Sequence, residues 1–311
     1  MNFCRFTAFL LCIVLLLSSF FVLSFADEDL IIAPGGEELP EEDGAKAEAF
    51  AALEKSQAYK VIYEGLAAGR DEISLEGMNC TVEEVQSVVQ SAIYTCPELF
   101  YVENYSYSYY SDGESGKNIV VGLFPRYATY TDAEGAPRAL EEVIAEYNAF
   151  MQELYDLGSM EWSDLETALF YHDYLTAYYE YDTDYGIYDA YGFLKNKEGV
   201  CQAYTLVFMG LMEHFGIPCT YAQSENINHI WNVVFIDGEW FHMDATWDDP
   251  LSDRPGLARH HYFLIGSETN QNKHFDVKGQ ENDMILGAQI PVSQDDHTYT
   301  SIWRDTETPF V

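Results

Sequence analysis

The chain has 311 residues, with 15 Lys and Arg against 52 Asp and Glu, a formal charge of −37. This balance argues against nucleic acid or an anionic membrane as partner. A solvated acidic surface on an exported protein is the simplest reading, with a weak bias toward cationic, lysine-rich substrates. With 48% hydrophobic residues, 24 Tyr and 19 Phe, the chain can build a full core, and its length suggests two domains.

Residues 1–26 hold one positive side chain, Arg5, then an apolar run from Phe6 to Phe25 that closes on Ser24-Phe25-Ala26. This reads as a secretory signal peptide cleaved after Ala26. An uncleaved anchor is the rival, since about 20 apolar residues can span a bilayer. Cleavage would carry the charge from −37 to −38, and no cysteine follows the site to take a lipid. Residues 27–45 are acidic, with Pro34-Gly35-Gly36 and Pro40, and read as a flexible linker.

Residues 46–160 read as a small α+β accessory domain. A helix is expected from Ala45 to about Ala67, then a short strand over 72–75. Thr81 and Glu84 form a capping box for a helix to Tyr94, short of Pro97. Strands follow over 100–108 and 117–127, then a helix over 137–157. This part assembles no catalytic group and would support or roof a cleft; its tyrosine-rich sheet could also bind glycan or peptide.

Residues 161–311 form the second domain, opened by a capping box at Ser163 and Glu166. The helix it starts carries His172, read as a packed or hydrogen-bonded core histidine. Asp182-Thr183-Asp184-Tyr185-Gly186 lacks the sixth-position glycine and the bidentate glutamate of a calcium loop. From Cys201 to Phe215 the chain is almost wholly apolar, with a helix stop at Gly216 and Pro218. Cys201 thus falls in the first turn, where free N–H groups and the helix dipole favour a thiolate. Taken alone, a cysteine there is more often a small buried apolar residue.

His229, 28 residues on, and Asp244, 15 further, weigh against that reading. Strands over 229–236 and 239–246 flank Asp237-Gly238, a two-residue hairpin signal. That turn pairs Asp244 with Trp231, making His229 and Asp244 diagonal neighbours on one face, about 7–8 Å apart at Cα. Asp244 can then accept one imidazole N–H and leave the other nitrogen for the thiol. A strand is also expected over 260–265. His242, His260, His261 and His274 lack metal-ligand spacing, so no metal or other cofactor is expected.

Several blocks here resemble the transglutaminase-like superfamily in its bacterial secreted form. They are Tyr191-Gly192-Phe193-Leu194, Gly199-Val200-Cys201-Gln202-Ala203-Tyr204, Gly216-Ile217, His229-Ile230-Trp231-Asn232-Val233, Gly238-Glu239-Trp240 and Asp244-Ala245-Thr246-Trp247-Asp248, within roughly residues 160–266. The resemblance implies an α+β fold with a papain-like core: a cysteine-bearing helix on an antiparallel sheet carrying the other two groups. It implies Cys201 as nucleophile, His229 as base and Asp244 as orienting acid. Ile230, where many relatives have alanine, lies on the face opposite His229.

Cys80 and Cys96 flank a helix whose ends lie roughly 20 Å apart, too far for a disulfide. Cys219 reads as a buried free thiol, and Cys201 stays unpaired. An exported chain without a disulfide framework fits a Gram-positive exporter.

The implied chemistry is attack of Cys201 on an amide carbonyl of a protein or peptide, through a thioester. The Cys201 backbone N–H is the first oxyanion donor. Gln202, Asn196 and Trp231 are candidates for the second, and Trp231 and Trp247 wall the cleft. Water as acceptor gives a protease or amidase; a lysine amine gives a cross-linker. The alternatives are a non-catalytic binding or scaffold protein that keeps the fold, and a cell-wall-associated structural module.

Overall fold

The computed structural model describes residues 45–299, apart from 47, 50–52, 54–55, 114, 250–255 and 276–279, together with 307–309. The expected signal peptide and nearly all of the expected acidic linker lie outside the described residues. Helix α1 (Gln57–Ala67) begins where Ser56, in extended backbone, accepts the N–H of Tyr59. The single helix expected from Ala45 is therefore interrupted, because the serine caps a new start.

Strand β1 (Ile73–Ser74), helix α2 (Val82–Tyr94), strands β2 (Val102–Ser111) and β3 (Asn118–Tyr127) and helix α3 (Leu140–Tyr155) follow. The strands form an antiparallel sheet in the order β1-β3-β2. The capping box forms at α2, with Glu84 N–H 3.2 Å from Thr81 Oγ1 and Thr81 N–H 2.8 Å from Glu84 Oε2. Ser163 and Glu166 repeat it at α4 (Asp164–Tyr178).

Helices α5 (Ala190–Asn196) and α6 (Cys201–His214) come next. Strands β4 (Cys219–Ser224), β5 (His229–Ile236) and β6 (Glu239–Met243) and the short helix α7 (Ala245–Asp248) follow them. Helix α8 (Ser267–His274) and strand β7 (Ile285–Leu286) complete the site region. The second sheet is antiparallel in the order β6-β5-β4-β7, and α6 packs along β5. This is an α+β fold, a cysteine-bearing helix on an antiparallel sheet, preceded by a smaller α+β unit.

Every residue of α6 from Gln202 to Met212 is buried, as an all-round apolar helix requires. It stops at Gly216, whose φ of +67° suits glycine, with Ile217 N–H reaching Met212 O at 2.8 Å. A Cβ on Gly210 would lie 3.0 Å from Met151 Cε and 3.2 Å from Pro97 Cγ, so glycine lets the N-terminal elements close onto α6. The hydrophobic core accordingly runs through Ile62, Val89, Tyr147, Leu175 and Phe208 as one cluster. A smaller cluster, with Trp231, Val233, Phe235 and Trp240, covers the sheet face away from α6. Cys80, Cys96, Cys201 and Cys219 are all free thiols. Among the described residues no helix is long and apolar enough to cross a membrane.

The hairpin turns at Asp237 (φ 51°) and Gly238 (φ 88°), the left-handed pair of a type I′ turn. Its register is the expected one, Glu239 with Ile236 and Met243 with Asn232. The strand ends sooner than expected, at Met243. Asp244 leaves the sheet to cap α7, so it meets His229 from a helix start and not as a cross-strand diagonal neighbour. The strand expected over 260–265 is also absent: 261–264 is a turn, and Ile265 alone bridges to His242. The cause is Asp248, whose carboxylate takes the N–H groups of His261 and Tyr262 at 2.7 and 2.9 Å. Those amides are satisfied by a side chain in place of a strand partner.

One carboxyl makes the core pH-sensitive. Glu213 sits in the last turn of α6, where the dipole disfavours a negative charge. Burial, and then the charge of Glu98, push it up to about 9. A carboxyl raised on folding adds stability below about pH 4.5, and that contribution is lost as pH climbs toward 9. Glu213→Gln is therefore expected to raise the melting temperature at pH 8, by a few degrees, and to leave it unchanged at pH 4.5. Thermal melts of both proteins at the two pH values check this; equal melting at pH 8 would contradict it.

Candidate active site

Cys201 is the first residue of α6, half-buried, behind Val200 in extended backbone, and no side chain caps the turn. Thr205 Oγ1 lies 2.8 Å from Cys201 O and 3.2 Å from Ile230 O. Asn232 Nδ2 donates to Thr205 O at 3.0 Å. These bonds tie the cysteine turn to β5, the strand that opens with His229.

His229 is buried, and its Nε2 donates to Asp244 Oδ2 at 2.6 Å. The same imidazole also feels the charge of the Cys201 side chain. With Nε2 on the aspartate, Nδ1 is the nitrogen left for the sulfur. Burial disfavours charge on this ring, but negative charge at Asp244 and Cys201 outweighs it and raises His229 well above the histidine range. Burial would likewise lift Asp244; His229, then His274, hold it far below the carboxylate range instead. A proton on His229 and a charge on Asp244 stabilise each other.

Asp244 Oδ1 accepts Trp247 N–H at 3.1 Å, the cap of α7. Its Oδ2 takes a second ring, His274 Nε2, at 2.9 Å. The rings form a layer. His229 stacks on Trp247 at 4.7 Å and Trp231 at 5.6 Å, and His274 stacks on both tryptophans at 4.6 and 4.4 Å. Trp231 is fully buried, whereas Trp247 is half-buried and covers His229 on the open side.

The structure treats the three oxyanion candidates differently. Trp231 has one N–H and gives it to His242 Nδ1 at 3.0 Å, so it serves as a wall and not as a donor. Burial pushes His242 down to about 3, which keeps that nitrogen an acceptor. Asn196 turns its amide back onto Gly192 O at 2.7 Å, on its own helix. Gln202 is buried beside the cysteine with Nε2 on Tyr188 O at 3.2 Å, leaving its second amide N–H.

Behind the site runs a second buried network. His172 Nδ1 meets Asp173 Oδ1 at 2.8 Å, its Nε2 meets Asp248 Oδ2 at 3.2 Å, and His260 Nε2 meets Asp173 Oδ1 at 2.8 Å. Burial lowers His172, but the two carboxylates raise it overall. Because Asp248 ends the four-residue helix that Asp244 begins, this network anchors the helix from behind. The core histidine expected at 172 is thus a hydrogen-bonded anchor.

Two trios, His172–Asp173–His260 and His229–Asp244–His274, place donor atoms of metal-ligand type within 4.8 Å of one another. In both, the ring nitrogens already face the carboxylate as hydrogen-bond partners. Local spacing could not find either trio, because each draws a histidine from a distant segment. The calcium-like stretch is a closed turn, with Asp182 accepting the N–H groups of Asp184, Gly186 and Ile187 at 2.6–2.8 Å.

Sequence reasoning missed three neighbours of the site. His274 ends a polar helix with no apolar stripe to mark it. Tyr94, from α2, and Tyr181 both sense the charge of Cys201: burial raises these phenols and that charge raises them further. Tyr94 brings the N-terminal unit to the neighbourhood of the sulfur.

Residues 157–245 match the family model described as the Transglutaminase-like superfamily, a segment that holds Cys201, His229 and, at its end, Asp244. No curated protein matches the chain. One solved structure, described as a TGase, aligns at 13% identity and a TM-score of 0.31, over 47% of this chain and 44% of that one. A second, described as a "Putative Cysteine Protease from Cytophaga hutchinsonii", aligns at 16% identity and a TM-score of 0.28, over 47% of this chain and 63% of that one. The alignments thus span less than two thirds of either structure. The similarity to the Transglutaminase-like superfamily thus rests on residues 157–245, the segment that carries all three residues of the site.

Proposed function

We propose that the protein is a thiol enzyme that opens amide bonds of protein or peptide substrates through a thioester on Cys201. The observation that carries this reading is the bond pattern at His229, with Nε2 on a buried carboxylate and the opposite nitrogen left for a half-buried sulfur. That is the arrangement in which an imidazole holds the proton of a thiol and delivers it to a leaving group.

In this mechanism Cys201 Sγ attacks the carbonyl carbon, and the oxygen takes the negative charge beside the Cys201 backbone N–H and the remaining amide N–H of Gln202. The C–N bond breaks as Nδ1 of His229 passes its proton to the departing nitrogen. Water or a lysine amine then attacks the thioester, gives a proton back to His229, and releases the sulfur. Trp247 and Trp231 wall the cleft and keep His229 in plane. No cofactor is required by these steps. The leader-like residues 1–26 support export to the cell surface, where protein or wall-linked peptides would be the substrates, and the charge of −37 disfavours nucleic acid.

The test is an assay of the purified protein on glutamine-containing peptides with and without a lysine-like amine. It reads ammonia release, backbone cleavage and amine incorporation in parallel. Wild type is expected to show at least one of these, and Cys201→Ala, folded by circular dichroism, to lose it by about 10³-fold or more. Activity that survives Cys201→Ala would overturn the proposal. Absence of all three in wild type would favour a binding or scaffold role.

A further inference from the structure

We propose that His274 is a positioning residue of this site, the second ring N–H that fixes the Asp244 carboxylate for His229; the inference rests on the thiol-enzyme reading above. Asp244 Oδ2 lies 2.6 Å from His229 Nε2 and 2.9 Å from His274 Nε2. An ionised carboxylate only accepts, so both nitrogens carry a proton. Burial keeps His274 below the histidine range, hence neutral, with its single proton on Nε2. Its Nδ1 is buried and has no hydrogen-bond partner among the described residues, so Asp244 alone fixes the tautomer.

The ring is also clamped by shape. It stacks on Trp231 and Trp247 at 16° and 19°, and Tyr262 meets its edge at 4.9 Å. Such a clamp matters because the four-residue helix that Asp244 caps holds only Oδ1, through Trp247 N–H, and leaves Oδ2 to the two rings. With Oδ1 on Trp247 N–H and Oδ2 on two ring N–H groups, the carboxylate has one orientation, and His229 inherits it. In metal sites, groups that orient a ligating residue carry about 10- to 100-fold in affinity or activity, and an effect of that order is expected here. His274 lies outside the matched segment 157–245, so the site is completed by a helix beyond the shared core.

The experiment compares wild type, His274→Ala, His274→Gln and Asp244→Asn. It measures the iodoacetamide labelling rate of Cys201 against pH by peptide mass spectrometry, with a melting temperature for each protein. Wild type is expected to label fast at pH 6, where an ordinary thiol near pKa 8.5 is almost wholly protonated. His274→Ala should fall about tenfold or more at pH 6 and track Asp244→Asn, whereas His274→Gln, which keeps an N–H toward the carboxylate, should stay within about threefold of wild type. A wild-type profile in His274→Ala, even with a lowered melting temperature, would overturn the inference and leave the thiol-enzyme reading intact. So would a glutamine variant as impaired as alanine, because shape alone would then account for the ring. If wild type itself labels like a free thiol, the thiol-enzyme reading falls and takes the inference with it.

Discussion

Asp244→Asn is expected to lower kcat by about 10³- to 10⁴-fold while leaving the fold in place. The amide cannot reproduce the three bonds of the carboxylate. Oδ2 receives two ring N–H groups and Oδ1 receives Trp247 N–H. Whichever way asparagine is turned, its NH₂ faces at least one N–H, in a pocket that excludes water. His229 also loses the charge that holds its proton, and with burial unopposed on that side it moves down toward the neutral form. Sulfur would then lose its cationic partner and the leaving group its proton donor. Steady-state kinetics together with circular dichroism check this; a kcat within tenfold of wild type would mean that Asp244 does not orient His229.

The largest effect on stability is expected from Asp248→Ala. Asp248 is fully buried and accepts from His172 Nε2, His261 N–H and Tyr262 N–H. Breaking a buried charged pair costs about 3–5 kcal/mol, and the lower end is expected here because Asp173 still holds His172. For a chain of this size that is a loss on the order of 10 °C in melting temperature. The pH dependence has a definite sign. His172 is raised on folding, so its contribution is complete below the ordinary histidine value of 6.5 and fades as pH rises past about 9. The deficit of Asp248→Ala should accordingly be larger at pH 6 than at pH 10. His172→Ala with Asp248→Ala should cost less than the sum of the two, because the second change removes a group that has already lost one of its two carboxylates. Additive losses, or a deficit independent of pH, would contradict the pairing.

Local signals in the sequence located the elements well where chemistry is local. Thr81 with Glu84 and Ser163 with Glu166 mark helix starts by reciprocal capping, and Gly216 marks the end of α6, each within a few residues of chain. Asp237-Gly238 set a register that the strands keep. Strand length was less legible: nothing local shows that Asp244 would leave the sheet, because its partners are a histidine 15 residues back and another 30 residues on. The turn at 261–264 is imposed by Asp248, 13 residues away. His274 was hidden for the same reason, since its helix is polar throughout and meets the site only through tertiary packing. The expected roles of Cys201, His229 and Asp244 came from their local settings and from the family resemblance together, whereas the ring layer and the His172 anchor are formed by tertiary contacts that no local pattern marks.

The most direct measurement is the intact mass of the protein quenched in acid during turnover of an activated glutamine-containing peptide, followed by mapping of the adduct. The account predicts an acyl mass on the peptide that carries Cys201, discharged by water or an added amine and missing from Cys201→Ala. An adduct on any other residue, or substrate consumed with no acyl mass on Cys201, would contradict it.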